Sequence, residues 1–115
     1  MPHFILDCST DIFEQHDTQH VMQVVFETAR QCGLFRPDDI KVRVRSFSDF
    51  VTGGTGDRFM LVFAYIMEGR SVTQKAALSE SIVAALTGLF PDVPVISMNV
   101  MDFEKSTYHN RDTIS

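Results

Sequence analysis

The chain repeats itself. A strand-like stretch, a helix-like stretch and a second strand-like stretch occur twice, and the halves align at one offset. His3-Phe4-Ile5-Leu6 maps on Arg58-Phe59-Met60-Leu61 (58 − 3 = 55), and Ile40 onward maps on Val95 onward (95 − 40 = 55). Neither copy of such a unit can bury its apolar face alone, so the halves are expected to pack as one sheet. Right-handed crossovers then place both helices on the same side. The expected fold class is α+β, a βαβ–βαβ pseudo-repeat with a four-stranded mixed sheet and two helices on one face. A single domain over 1–115 is expected, with repeats at about 2–50 and 57–104 and a polar tail over 104–115. The other sheet face is left bare. In a chain with ten Phe and six Met, other subunits are expected to cover it, and three copies in a closed ring would make a homotrimer.

Local patterns place the elements. His3 to Cys8 reads as a strand, followed by polar Ser9-Thr10-Asp11. A helix comes next, with Val21, Val25 (beside Val24), Thr28 and Cys32 on one face, Asp17 able to cap its start and Gly33 ending it. Ile40-Lys41-Val42-Arg43-Val44-Arg45 alternates strictly, three apolar side chains against three cations, and is the clearest strand. Thr52-Gly53-Gly54-Thr55-Gly56-Asp57 reads as a turn or loop, and the apolar run Phe59 to Met67 as a central strand covered on both faces. Ser71 with Gln74 forms a capping box for a second helix, whose apolar face is read as Val72, Ala76, Ile82 or Val83, Leu86 and Phe90. Pro91 and Pro94 stop it, Val95 to Phe103 is the last strand, and Glu104 to Ser115 has no periodicity.

Composition narrows the function. No apolar run approaches the ~20 residues of a membrane span, and the N-terminus lacks the basic region of a signal peptide, so a cytoplasmic protein without membrane contact is expected. Cys8 and Cys32 are then expected to be reduced. A net charge of −5 disfavours nucleic acid as a partner. His16 and His20 stand four apart without a zinc signature or a third ligand nearby, and the glycine-rich loop lacks the Gly-Lys-Ser/Thr ending of a phosphate loop. Neither marks a metal or nucleotide site.

Three features could carry chemistry. Removal of an initiator methionine before proline would leave Pro2 with a secondary amine, a base that an apolar pocket and nearby cations tune toward neutral pH. A Met-Pro start equally fits a proline that merely opens a strand. The Lys41/Arg43/Arg45 stripe could hold an anion, although such stripes are usually solvated. In Glu68-Gly69-Arg70-Ser71 a glycine turn delivers an arginine to a helix start, a fork suited to a carboxylate.

Pro2-His3-Phe4-Ile5-Leu6-Asp7-Cys8-Ser9 closely resembles the N-terminus of the 5-carboxymethyl-2-hydroxymuconate delta-isomerases, and Gly33-Leu34-Phe35, Ile40 to Val44 and Gly69-Arg70-Ser71 recur in that family's order. Glu68 to Ser71, with Gln74-Lys75, also looks like the start of the short 4-oxalocrotonate tautomerases. Both families belong to the tautomerase superfamily with the macrophage migration inhibitory factor. The resemblance implies a tautomerase-like trimer that needs no cofactor, with Pro2 as base and Arg70 holding a substrate carboxylate. A second family arginine falls on Lys41 in the preferred register, so Lys41 or Arg43 would be the second ligand. The implied activity is isomerisation of small dicarboxylate or tricarboxylate dienols from aromatic breakdown. Two other readings stand beside it: a non-catalytic ligand-binding or interaction module of the same fold, and a proline-dependent hydratase or dehalogenase of unsaturated acids.

Overall fold

Alternating apolar residues pair into a sheet because each strand has one face that must leave water. In a computed structural model, which describes residues 1–54 and 58–114, the order is β1 (His3–Ser9), α1 (Ile12–Gln15), α2 (Thr18–Gln31), β2 (Lys41–Phe47), β3 (Phe59–Met67), α3 (Val72–Leu89), β4 (Val95–Phe103) and α4 (Arg111–Ile114). The sheet order is β2-β1-β3-β4. β1 and β2 run parallel, as do β3 and β4, while β1 and β3 meet antiparallel at the centre. This is the expected mixed sheet of two βαβ units.

Both helices cover one face. Phe4, Leu6 and Cys8 of β1 and Met60, Val62 and Ala64 of β3 are fully buried with Val21, Val25 and Ala29 of α2 and Leu78, Ile82 and Leu86 of α3. Leu86→Ala should lower unfolding stability by about 2–5 kcal/mol in a denaturant titration, the usual effect of deleting a leucine side chain from a packed core. A loss under 1 kcal/mol would contradict this packing.

The reading of β3 as covered on both faces is corrected for the single chain, where one face is covered. Met60, Val62, Ala64 and Ile66 are buried, but Phe59, Leu61, Phe63, Tyr65 and Met67 are only half-buried, because both crossovers put their helices on the opposite side. The single offset is corrected too. An offset of 55 would lay helix-facing Phe4 on Phe59, which faces the other way. Side chains alternate with period two, so equivalent strand positions must differ by an even number. The first pairs of the parallel ladders, His3 with Lys41 and Phe59 with Val95, give 56 for the leading strands (59 − 3) and 54 for the following ones (95 − 41).

The helix faces also shift. In α2 the third buried residue is Ala29, while Thr28 turns its hydroxyl to the Val24 carbonyl at 2.8 Å and Cys32 is partly exposed. In α3 the capping box is present, Gln74 N–H donating to Ser71 Oγ at 3.1 Å and Ser71 N–H to Gln74 Oε1 at 2.9 Å. Val72, however, is 79% exposed, and Leu78 takes the core position expected of Ala76. Asp17 sits at the α2 N-cap without a capping hydrogen bond. Cys8 and Cys32 are free, and burial, with Asp7 alongside, pushes the Cys8 thiol up to about 12. Thr55, Gly56 and Asp57 of the expected glycine-rich loop lie outside the described residues. Among the described residues no helix is long and apolar enough to cross a membrane.

The C-terminal stretch is more ordered than its composition suggests. A 3-10 turn at Lys105–Thr107 and α4 follow β4. The Glu68 carboxylate accepts the Lys105 N–H, Tyr108 packs 5.5 Å from the Phe103 ring, and Asn110 and Thr113 cap each other around α4.

Candidate active site

Because β1 and β3 are antiparallel, the start of β1 lies beside the end of β3, with His3 opposite Tyr65. Pro2 therefore stands next to the turn that follows Met67. It is buried, and its carbonyl accepts the Lys41 N–H at 3.0 Å. A proline fits there because it has no N–H to leave unpaired. Gly69, at φ 120°, adopts a backbone conformation that side chains disfavour and turns the chain so that Arg70 leads into the capped start of α3. From the other side, Gly33 at φ 77° ends α2 and brings in Leu34, Phe35 and Arg36.

These segments enclose a cavity of about 210 Å³ lined by Met1, Pro2, Phe35, Arg36, Met67 and Arg70, among others. Arg70 is anchored within it: Nη2 donates to the Leu34 carbonyl at 2.7 Å, Nη1 to the Met67 carbonyl at 3.4 Å, and the guanidinium lies 5.3 Å from the Phe35 ring centre. A guanidinium has five N–H donors. Two are engaged here, which holds the group in place and leaves others for a ligand.

Lys41 and Arg43 part company. Lys41 donates to the Asp39 carbonyl at 2.9 Å and lines a neighbouring cavity of about 330 Å³ that shares Met1 and Asp39 with the first. Arg43 is hydrogen-bonded to His3 Nδ1 at 3.0 Å and opens on the bare sheet face beside Ile5, Tyr65 and Phe103. Arg45, the third cation of the stripe, is engaged by Asp7 at 2.6 and 3.0 Å. The structure thus brings Pro2 and Arg70 to one cavity, sets Lys41 at its border, and leaves Arg43 farther along the sheet.

Arg36 was not singled out by the sequence reading. Its guanidinium has no hydrogen-bond or ion-pair partner among the described residues, and it lines the same cavity as Pro2 and Arg70. A signal was present: Gly33 and Pro37 bracket Arg36, fixing the chain on either side of it. His16 has a structural role, its Nε2 at 3.0 Å from the Leu89 carbonyl and its ring edge-on to Phe90.

The surroundings lower the pKa of an amine at this place. The Met1 amine donates to the Asp39 carbonyl at 2.7 Å. Burial lowers its pKa most, Lys41 and Arg70 lower it further, and Asp39 opposes them. His3 is likewise lowered, by burial and then by Arg43 and Lys41.

A family model described as 5-carboxymethyl-2-hydroxymuconate isomerase matches residues 2–114. Among solved structures, a 5-carboxymethyl-2-hydroxymuconate isomerase from Deinococcus radiodurans R1 is similar at a TM-score of 0.81 and 18% identity, over 96% of this chain and 88% of that one. A fused 4-OT described as a wild-type symmetric trimer is similar at 0.78 and 15%, over 96% and 92%. A member of the cis-3-chloroacrylic acid dehalogenase family follows at 0.74 and 14%, over 95% and 80%. At these identities the structural likeness speaks to the fold. No curated protein sequence matches the chain.

Proposed function

The chain belongs to the 5-carboxymethyl-2-hydroxymuconate isomerase family, and from that premise we propose that it is a tautomerase of small dicarboxylate or tricarboxylate dienols with Pro2 as general base. One observation carries the reading: Pro2 and Arg70, 68 residues apart (70 − 2), line a single cavity. While Met1 is attached, the Pro2 nitrogen is an amide and has no basic lone pair. Once Met1 is removed, that nitrogen takes the proton from the substrate enol oxygen. The electron pair moves through the conjugated system, and the same proton is returned to carbon, so the product is an isomer. Arg70 holds a carboxylate and stabilises charge developing on the dienolate. Proton transfer of this kind asks for no redox group or metal.

Processed protein incubated with a panel of 2-hydroxydienoates tests the reading. Ketonisation faster than in buffer supports it, and inertness toward all members would overturn it. Lys41 fits the second carboxylate ligand better than Arg43, because it borders the cavity and Arg43 is occupied by His3. Lys41→Ala should raise KM for a dicarboxylate about two- to fivefold, the scale of a partly exposed ion pair, while Arg43→Ala should leave it unchanged. The reverse pattern would move the ligand along the strand.

Assembly belongs to the same reading. The sheet face away from the helices presents Phe63, Tyr65 and Phe103, and two solved structures of this fold, both fused 4-OTs, are described as symmetric trimers. A homotrimer would cover that face. Light scattering should give three times the monomer mass at micromolar concentration, and a monomer there would refute the trimer.

A further inference from the structure

The second cavity is built by the C-terminal segment. It is lined by Met1, His3, Asp39 and Lys41 from the strand ends, and by Tyr108, Arg111 and their neighbours Asn110 and Asp112 from the tail. The tail is held there by the Glu68 carboxylate on the Lys105 N–H, by Tyr108 on the Phe103 ring, and by the reciprocal Asn110–Thr113 cap that shapes α4. The Arg111 guanidinium has no hydrogen-bond or ion-pair partner among the described residues.

Met1 and Asp39 line both cavities, so Met1 stands between them. The first, at about 210 Å³, is smaller than the ~300 Å³ at which ligand pockets usually begin. Loss of Met1 would take away one of the two residues that separate the cavities, the other being Asp39, and open the Pro2 side toward the second cavity. Arg36 and Arg70 line the first cavity, and Lys41 and Arg111 the second. Asp39 and Asp112 keep the second side mixed in charge, which suits a single carboxylate better than a polyanion.

We propose that Arg111 is a specificity-determining residue, which with Lys41 receives the second carboxylate of a substrate whose first carboxylate is held by Arg70. The assignment rests on the reading of Pro2 and Arg70 as the active site, but a binding measurement separates the two. Calorimetry on processed protein would compare adipate, with a carboxylate at each end, against hexanoate, with one. Adipate should bind the wild type more tightly than hexanoate, Arg111→Gln should weaken adipate about tenfold with hexanoate unchanged, and Arg111→Lys should restore most of the loss. Adipate binding no tighter than hexanoate, unchanged adipate affinity in Arg111→Gln, or an equal loss for both ligands would overturn the proposal. If the Arg111 dependence appears but no dienol is ketonised, the proposed reaction fails while the anion site stands.

Discussion

A chain that keeps Met1 should ketonise dienols about 10²–10⁴-fold more slowly than the same chain beginning at Pro2, the range a positioned general base contributes. Two effects act together. The Pro2 nitrogen bonded to Met1 is an amide without basicity, and Met1 itself lines both cavities, so it stands where substrate would have to lie. The Met1 amine cannot substitute, because it is held by a hydrogen bond to the Asp39 carbonyl and lies one residue away from the position the reaction needs. Purified samples with and without an N-terminal extension, each verified by mass spectrometry, provide the comparison. Processed Pro2→Ala should fall between them, since alanine leaves a primary amine without the ring. Equal rates for extended and processed protein would remove Pro2 from the mechanism.

Arg70→Ala should weaken a dicarboxylate substrate by roughly 10–150-fold, the equivalent of the 1.5–3 kcal/mol of a hydrogen bond to a charged group. The structure adds a complication that sequence alone did not reveal. Arg70 also ties the Leu34 and Met67 carbonyls together over Phe35, so its truncation loosens the cavity wall. A neutral enol such as a phenylpyruvate ester separates the two effects, because it lacks the carboxylate yet needs the same wall. A large loss for the dicarboxylate with a small one for the neutral enol would mark anion binding. Equal losses would assign Arg70 a purely structural part.

How much of this was legible in the sequence depended on whether a local rule decided the matter. β4 begins and ends where expected, at Val95 and Phe103, because Pro94 precedes its start and the polar run Glu104-Lys105-Ser106 follows its end, both local signals. The capping box at Ser71 and Gln74 is equally local. α3 was harder to orient: Val72, Ala76, Ala77, Leu78, Ile82, Val83, Ala84, Ala85 and Leu86 place apolar groups all around it, and only the docked sheet selects Leu78, Ile82 and Leu86. The offset of 55 averaged two even offsets, and strand faces cannot be averaged. α1 and α4, of four residues each, are too short to show a period.

The site divides in the same way. The positions of Pro2 and Arg70, at a strand start and after a glycine turn, were readable locally, whereas their roles as base and carboxylate ligand were implied only by the family resemblance. The choice between Lys41 and Arg43 was not readable, because both lie on the same strand face. It is His3, on the adjacent strand β1 and 40 residues earlier in the sequence, that engages Arg43. Arg36 and Arg111 come from a loop and a tail whose return to the N-terminus is a property of the folded chain.

The central claim concerns one nitrogen, and its titration tests that claim most directly. Around the Met1 amine, burial first, then Lys41 and Arg70, disfavour the charged form and outweigh the opposing Asp39. A Pro2 amine set against the same groups should therefore titrate below an ordinary prolyl amine. The base must be neutral to accept a proton, so kcat/KM should rise with pH through that pKa and level off above it. Nitrogen-15 NMR of processed protein labelled at proline would give the Pro2 titration, to be compared with the acid limb of kcat/KM for a dicarboxylate dienol. The account predicts that the two coincide at a lowered value. An unshifted Pro2 amine, or a rate profile that titrates elsewhere, would contradict it.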